Sequence, residues 1–106
     1  MLDTLFEMAR QALRITWTMT DDEEDFLMRE VEDAVNLLNE VVGGNQDYTK
    51  AGMGRDLFLS CVRYIHNDSS ELFLHNFNKS LNTYRVKVAS DRLREKDKEG
   101  DTNSPD

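Results

Sequence analysis

An all-α fold of four helices in one small domain is predicted by the recurrence of apolar residues at three- and four-residue spacing and by helix-capping residues or glycines at the stretch boundaries. Length supports it, since 106 residues suit one domain. The 26 Leu, Ile, Val and Phe residues are enough to fold a chain of this size, but around a thin core.

The first stripe, Leu2, Leu5, Phe6, Ala9, Ala12 and Leu13, predicts a helix over about residues 2–14. The β-branched stretch Ile15-Thr16-Trp17-Thr18-Met19-Thr20 carries no helical stripe and reads as a connector with Trp17 folded back on the core. Thr20 and Glu23 have capping-box spacing, and the acids Asp21 to Asp25 lie where the helix dipole favours them. A second, central helix therefore starts here. Its stripe runs Phe26, Leu27, Val31, Ala34, Val35, Leu38, Val41 and Val42, broadened by Leu37, and stops at Gly43-Gly44. Residues 43–54 hold Gly43, Gly44, Gly52 and Gly54 and predict a mobile loop, longer than a minimal helix hairpin needs. Leu57, Phe58, Cys61, Val62, Tyr64 and Ile65 make the third helix, ending near Asn67-Asp68. Ser69 or Ser70 is placed to cap a fourth, whose Phe73, Phe77, Leu81, Tyr84 and Val88 carry it to about residue 89. The domain thus spans 1–90, and residues 91–106, charged and without an apolar side chain after Leu93, are expected to be a disordered polar tail.

Composition narrows function. A formal charge of -8 makes nonspecific binding to nucleic acid unfavourable. No apolar run approaches the roughly 18 residues needed to cross a bilayer, so no membrane association is expected. One cysteine and no secretory leader pattern imply a reducing, intracellular setting. The acidic run Asp21 to Asp25 lacks the alternating ligands and central glycine of a calcium loop. Cys61, His66 and His75 form neither a paired-cysteine nor a helical two-histidine zinc motif. Cys61 reads as a small core residue and the histidines as surface or cap groups. With no phosphate loop, nucleophile elbow or zincin motif, the expectation is a non-enzyme with no cofactor, no metal and no catalytic residues.

One asymmetry remains. Residues 21–40 hold nine acids and one base, whereas residues 79–98 hold seven bases and three acids. The two regions could pair within one molecule as surface salt bridges, or between neighbouring copies in a head-to-tail arrangement that closes into a ring. Contact of the basic region with nucleic acid is weaker, because acids are interspersed there and no aromatic follows Tyr84.

The order of signals resembles a known family. Leu13-Arg14-Ile15 is followed by Asp21-Asp22-Glu23-Glu24-Asp25-Phe26-Leu27, a long helix with Ala34 on its stripe, and a Gly-rich loop. Then come Leu57-Phe58-Leu59-Ser60-Cys61-Val62-Arg63-Tyr64 and a final helix with Phe73, Asn76-Phe77 and Leu81. Over residues 2 to about 93 this is similar to the head-tail connector, or head-completion adaptor, proteins of long-tailed double-stranded DNA phages and prophages. The resemblance implies a structural virion protein that assembles as a ring on the portal protein, commonly twelve-fold, after DNA packaging. Such a ring extends the DNA channel without binding the packaged DNA specifically, and it gives a docking platform for a downstream connector or tail protein. It also implies assembly in the host cytoplasm and a final place at the head-tail junction.

Tyr84, Arg85, Lys87, Arg92 and Arg94 are then the candidate partner contacts, and Asp21, Asp22, Glu23, Glu24 and Asp25 the candidate subunit-contact or channel-lining surface. The rival reading is a small dimeric helical regulator acting on DNA or a host protein. Helices three and four allow a helix-turn-helix, yet the second begins Ser70-Glu71-Leu72-Phe73-Leu74, without the basic and amide residues of a recognition helix.

Overall fold

A computed structural model describes residues 1–103, with side chains through Arg94. Its order is α1 (Leu2–Ala12), α2 (Asp21–Val42), α3 (Met53–His66), α4 (Ser70–Asn76) and α5 (Asn78–Asn103), with no strand among the described residues. The fold is all-α, as the periodicity requires.

The expected capping box opens α2. Thr20 Oγ1 accepts from the Glu23 amide at 3.2 Å, and the Glu23 carboxylate accepts from the Thr20 amide at 3.2 Å. At the other end Gly43 takes the left-handed conformation, φ 83°, that an α-helix C-cap favours in glycine. Between these ends Leu27, Val31, Ala34, Leu38 and Val42 are buried and form the central face onto which α1, α3 and α5 pack. Phe26, expected on that face, is instead 60 % exposed. It is one residue off the Leu27–Val31–Leu38 line, a rotation of about 100° on the helix.

Two turns use left-handed residues that are not glycine. Arg14 (φ 59°) follows α1 and Asp68 (φ 56°) follows α3, and in each case the next amide reaches back five residues, Ile15 to the Arg10 carbonyl and Ser69 to the Tyr64 carbonyl. These helix-ending motifs satisfy carbonyls that would otherwise lack donors. At the first of them the residue after the turn, Ile15, drops into the core. The expectation that Trp17 folds back is therefore corrected: Ile15 fills that role, and Trp17 is 56 % exposed. Ser69 flanks α4 but makes no side-chain cap; its hydroxyl donates to the Asn67 carbonyl instead.

The single long fourth helix of the sequence reading is two helices. The break falls at Phe77 (φ -106°, ψ 11°), between Asn76 and Asn78, residues of low helix propensity. Aromatic packing fixes the corner. Phe77 stacks on Phe73 at 4.9 Å and meets Tyr64 of α3 edge-on at 5.6 Å, while Asn76 donates to the Tyr64 hydroxyl.

The Gly-rich loop is anchored at its middle. Tyr48 is fully buried, stacks on Phe58 at 6.0 Å and donates to Asn39 Oδ1 at 2.6 Å; that same oxygen accepts the Gln46 amide. Gly54, expected in the loop, lies in the first turn of α3, which starts four residues before Leu57. A side chain there would collide with the Tyr84 hydroxyl, 2.6 Å from where a Cβ would stand. Cys61 sits at the centre of the core beside these residues, with no exposure.

Beyond Val88, the last buried residue whose side chain is described, α5 continues to Asn103, although the sequence pattern ends it near residue 89. Residues 104–106 of the expected tail lie outside the described residues. With only Ala89 and Leu93 as apolar residues, both exposed, this stretch lacks a core but not a helix, since Ala, Arg, Glu and Lys are good helix formers and Arg94 pairs with Asp91 one turn away at 3.5 Å. The molecule is correspondingly long, 61 Å by 28 Å by 19 Å.

Candidate functional site

The N-terminal turns of α2, the α1–α2 connector and the end of α3 enclose a cleft of about 340 Å³. Leu13, Ile15, Met19 and Leu27 make its apolar walls, Trp17 and Phe26 stand at its edge, and Asp22 and Glu23 add negative charge. Trp17 is held open by its indole Nε1–H, which donates to the Glu23 carboxylate at 3.2 Å. Glu23 therefore serves the cap and the indole together. Its carboxyl is held below the ordinary glutamate range, first by the Thr20 backbone bond and then by Trp17 and the Thr20 side chain.

A lowered carboxyl pKa contributes stability that is present above the ordinary value and lost as pH falls through the folded one. The sole tryptophan should thus change fluorescence in a transition below the ordinary glutamate range. Glu23→Gln should remove that transition while Asp22, Glu30 and His66, the other titratable groups of the cleft, stay in place. A transition unchanged in Glu23→Gln would show that another group controls Trp17.

At the base of the cleft lies a pair the sequence reading missed. Glu30 is only 5 % exposed and its carboxylate meets His66 Nδ1 at 2.9 Å. The signal available in sequence was position: Glu30 falls on the same side of α2 as Leu27, Val31 and Ala34. His66, read as a surface group, is half-exposed with its ring nitrogen turned inward onto Glu30. His66→Ala should cost about 1–3 kcal/mol by leaving a buried carboxylate without its partner. Arg94→Ala, which breaks an exposed pair, should cost no more than about 0.5 kcal/mol. Urea unfolding of both variants checks the contrast, and equal costs would contradict it.

The basic candidates separate into two groups. Tyr84 is 8 % exposed, packs in the core against Gly54 and reaches the surface only in the lining of the cleft it shares with Lys87 and Arg92; burial raises its hydroxyl pKa. Arg92 lies over Gly44 and donates to the Gly43 carbonyl at 3.3 Å, supplying positive charge at the C-terminal end of α2. Arg85, Lys87 and Arg94 are exposed. The acids Asp21 to Asp25 are all exposed around the N-terminal turn of α2.

The two charged regions pack through their apolar residues but do not pair through their charges. Among the described residues the ion pairs are Arg10 with Glu7, His66 with Glu30 and Arg94 with Asp91; none joins α2 to α5. Geometry explains this. The acidic run Asp21 to Asp25 opens α2, whereas Arg92 touches its far end at Gly43, and 22 helical residues separate the two ends by about 33 Å. Intramolecular pairing, one of the alternatives the charge pattern leaves open, is absent among the described residues.

A second cleft of about 450 Å³ lies between the loop and α5. It joins Asp47, Lys50, Lys87, Asp91 and Arg92, so the loop and basic candidates are neighbours. Asp47 is itself held low in pKa by the Thr49 side chain and backbone. The helix that a DNA-reading hairpin would need, α4, has seven residues and starts with Ser70-Glu71. No helix among the described residues is long and apolar enough to cross a membrane.

What the fold and these surfaces define is a small all-α domain with an acidic, aromatic-edged cleft at one end and a basic helix projecting from the other. Comparison with known proteins takes this no further: no family model, curated protein or solved structure matches the chain.

Proposed function

We propose that the chain is a structural adaptor of the head-tail connector kind, assembling as a ring on a portal protein and giving a platform for the next connector or tail component. The observation that carries this reading is that the acidic run Asp21 to Asp25 and the basic Arg92 lie at opposite ends of α2. Such a molecule presents unlike surfaces to its neighbours, which is the condition for heterologous contacts that close into a ring. The acidic turn of α2 also suits a channel wall along which DNA slides without sticking, by like-charge repulsion.

The test is native mass spectrometry of the purified chain over a wide concentration range, followed by co-sedimentation with the portal protein encoded in the same genome. A closed ring of about twelve copies, or portal-dependent assembly from monomers, supports the adaptor. A discrete dimer that ignores the portal overturns it in favour of a regulator. Deleting residues 90–106 is expected to abolish portal docking and leave the core packing intact; a truncated chain that docks removes the assignment of α5 to the portal.

A further inference from the structure

We infer that the outward face of α5 is the occupant of the Trp17–Phe26 cleft on a neighbouring copy of this chain. The inference rests on the ring reading above and names its subunit contact.

Helix α5 has two faces. Leu81, Tyr84 and Val88 turn into the core, while Val86, Ala89 and Leu93 share the opposite side, and Val86 and Leu93 are 61 % and 63 % exposed. Their spacing of three and four residues makes a short apolar stripe that nothing among the described residues covers. Bases border it on both sides: at about 100° per residue, Arg85 and Arg92 fall along one edge and Lys87 and Arg94 along the other.

The cleft is the complement of that stripe in both properties. Its apolar walls and the exposed rings of Trp17 and Phe26 match apolar anchors, and Asp22 and Glu23 give its lining negative charge. Insertion of an amphipathic helix into an apolar groove, with charged residues matched at the rim, is a common mode of recognition. The charge complementarity selects α5 over an acidic or neutral partner. Because stripe and cleft lie at opposite ends of the molecule, α5 occupies a neighbour's cleft and leaves its own free for the next copy. Arg92 keeps its bond to Gly43 and acts as the base of the projecting arm.

Three variants of the full chain test this: Phe26→Asp in the cleft, Leu93→Asp on the stripe, and Arg85→Glu with Lys87→Glu at its edges. Every altered side chain is exposed, and circular dichroism confirms the fold of each variant. Native mass spectrometry is expected to show the wild-type chain forming oligomers and each variant shifted to monomer, with association weakened about tenfold or more. The decisive measurement mixes Phe26→Asp with Leu93→Asp. One retains an intact stripe and the other an intact cleft, so the mixture should give one-to-one pairs and nothing longer.

Variants that assemble as wild type, or a mixture that stays monomeric, overturn the contact. A wild-type ring with unaffected variants overturns it while leaving the adaptor reading standing. A wild-type chain that is monomeric at every concentration also overturns it; the adaptor reading then falls as well if the portal protein is not bound.

Discussion

Replacing Phe73 by alanine is expected to cost about 3–5 kcal/mol, a large part of the roughly 5–15 kcal/mol that holds a domain of this kind together. Phe73 is fully buried, stacks on Phe77 and meets Tyr64 edge-on at 5.8 Å, so its ring ties α3, α4 and the start of α5 at one point. Removing it leaves a cavity that helix α4, only two turns long, is too short to close by itself. Urea unfolding should show a lower midpoint. Phe73→Leu, which keeps most of the volume, should lose much less, and equal losses would show that volume is not what the site supplies.

The second large effect is expected at Tyr48. Tyr48→Ala should cost about 3–4 kcal/mol, because it removes a fully buried ring and unties the loop between α2 and α3. Tyr48→Phe separates the two contributions. It keeps the stack on Phe58 and loses only the hydroxyl bond to Asn39, whose oxygen still accepts from the Gln46 amide, so about 1 kcal/mol is expected. Hydrogen exchange at Gln46 should accelerate strongly in Tyr48→Ala and weakly in Tyr48→Phe. A loop that exchanged equally fast in both would mean that Asn39 alone holds it.

These two residues show what the sequence could and could not disclose. The periodic signal located the helices and most of the core, because a side chain at every third or fourth position must face the same way. Thr20, Glu23 and Gly43 disclosed the ends of α2, since their chemistry acts within one turn. Tyr48 was invisible to that method. It stands alone in a stretch of glycine and polar residues, and its burial depends on Phe58 and Asn39, ten positions after it and nine before.

The break at Phe77 was hidden for a related reason. The stripe from Phe73 to Val88 keeps helical spacing across the corner, so a bent helix and a straight one read alike in one dimension. The acidic and basic regions were legible as charge, but their placement at opposite ends was not. It follows from Arg92 reaching the end of α2, a contact 49 residues apart in sequence. Glu30 and His66 likewise needed the third dimension, which brought together two residues 36 positions apart.

Cys61 gives the molecule a chemical clock. It is the only thiol in the chain, it has no exposure, and burial pushes its pKa up to about 12. Only the thiolate is alkylated, and only where reagent reaches it, so the folded chain is protected twice over. Modification must wait for the centre of α3 to open to water. The labelling rate of an otherwise untouched sample therefore times the opening of the core, and anything that holds neighbouring copies together by binding the closed form should slow it.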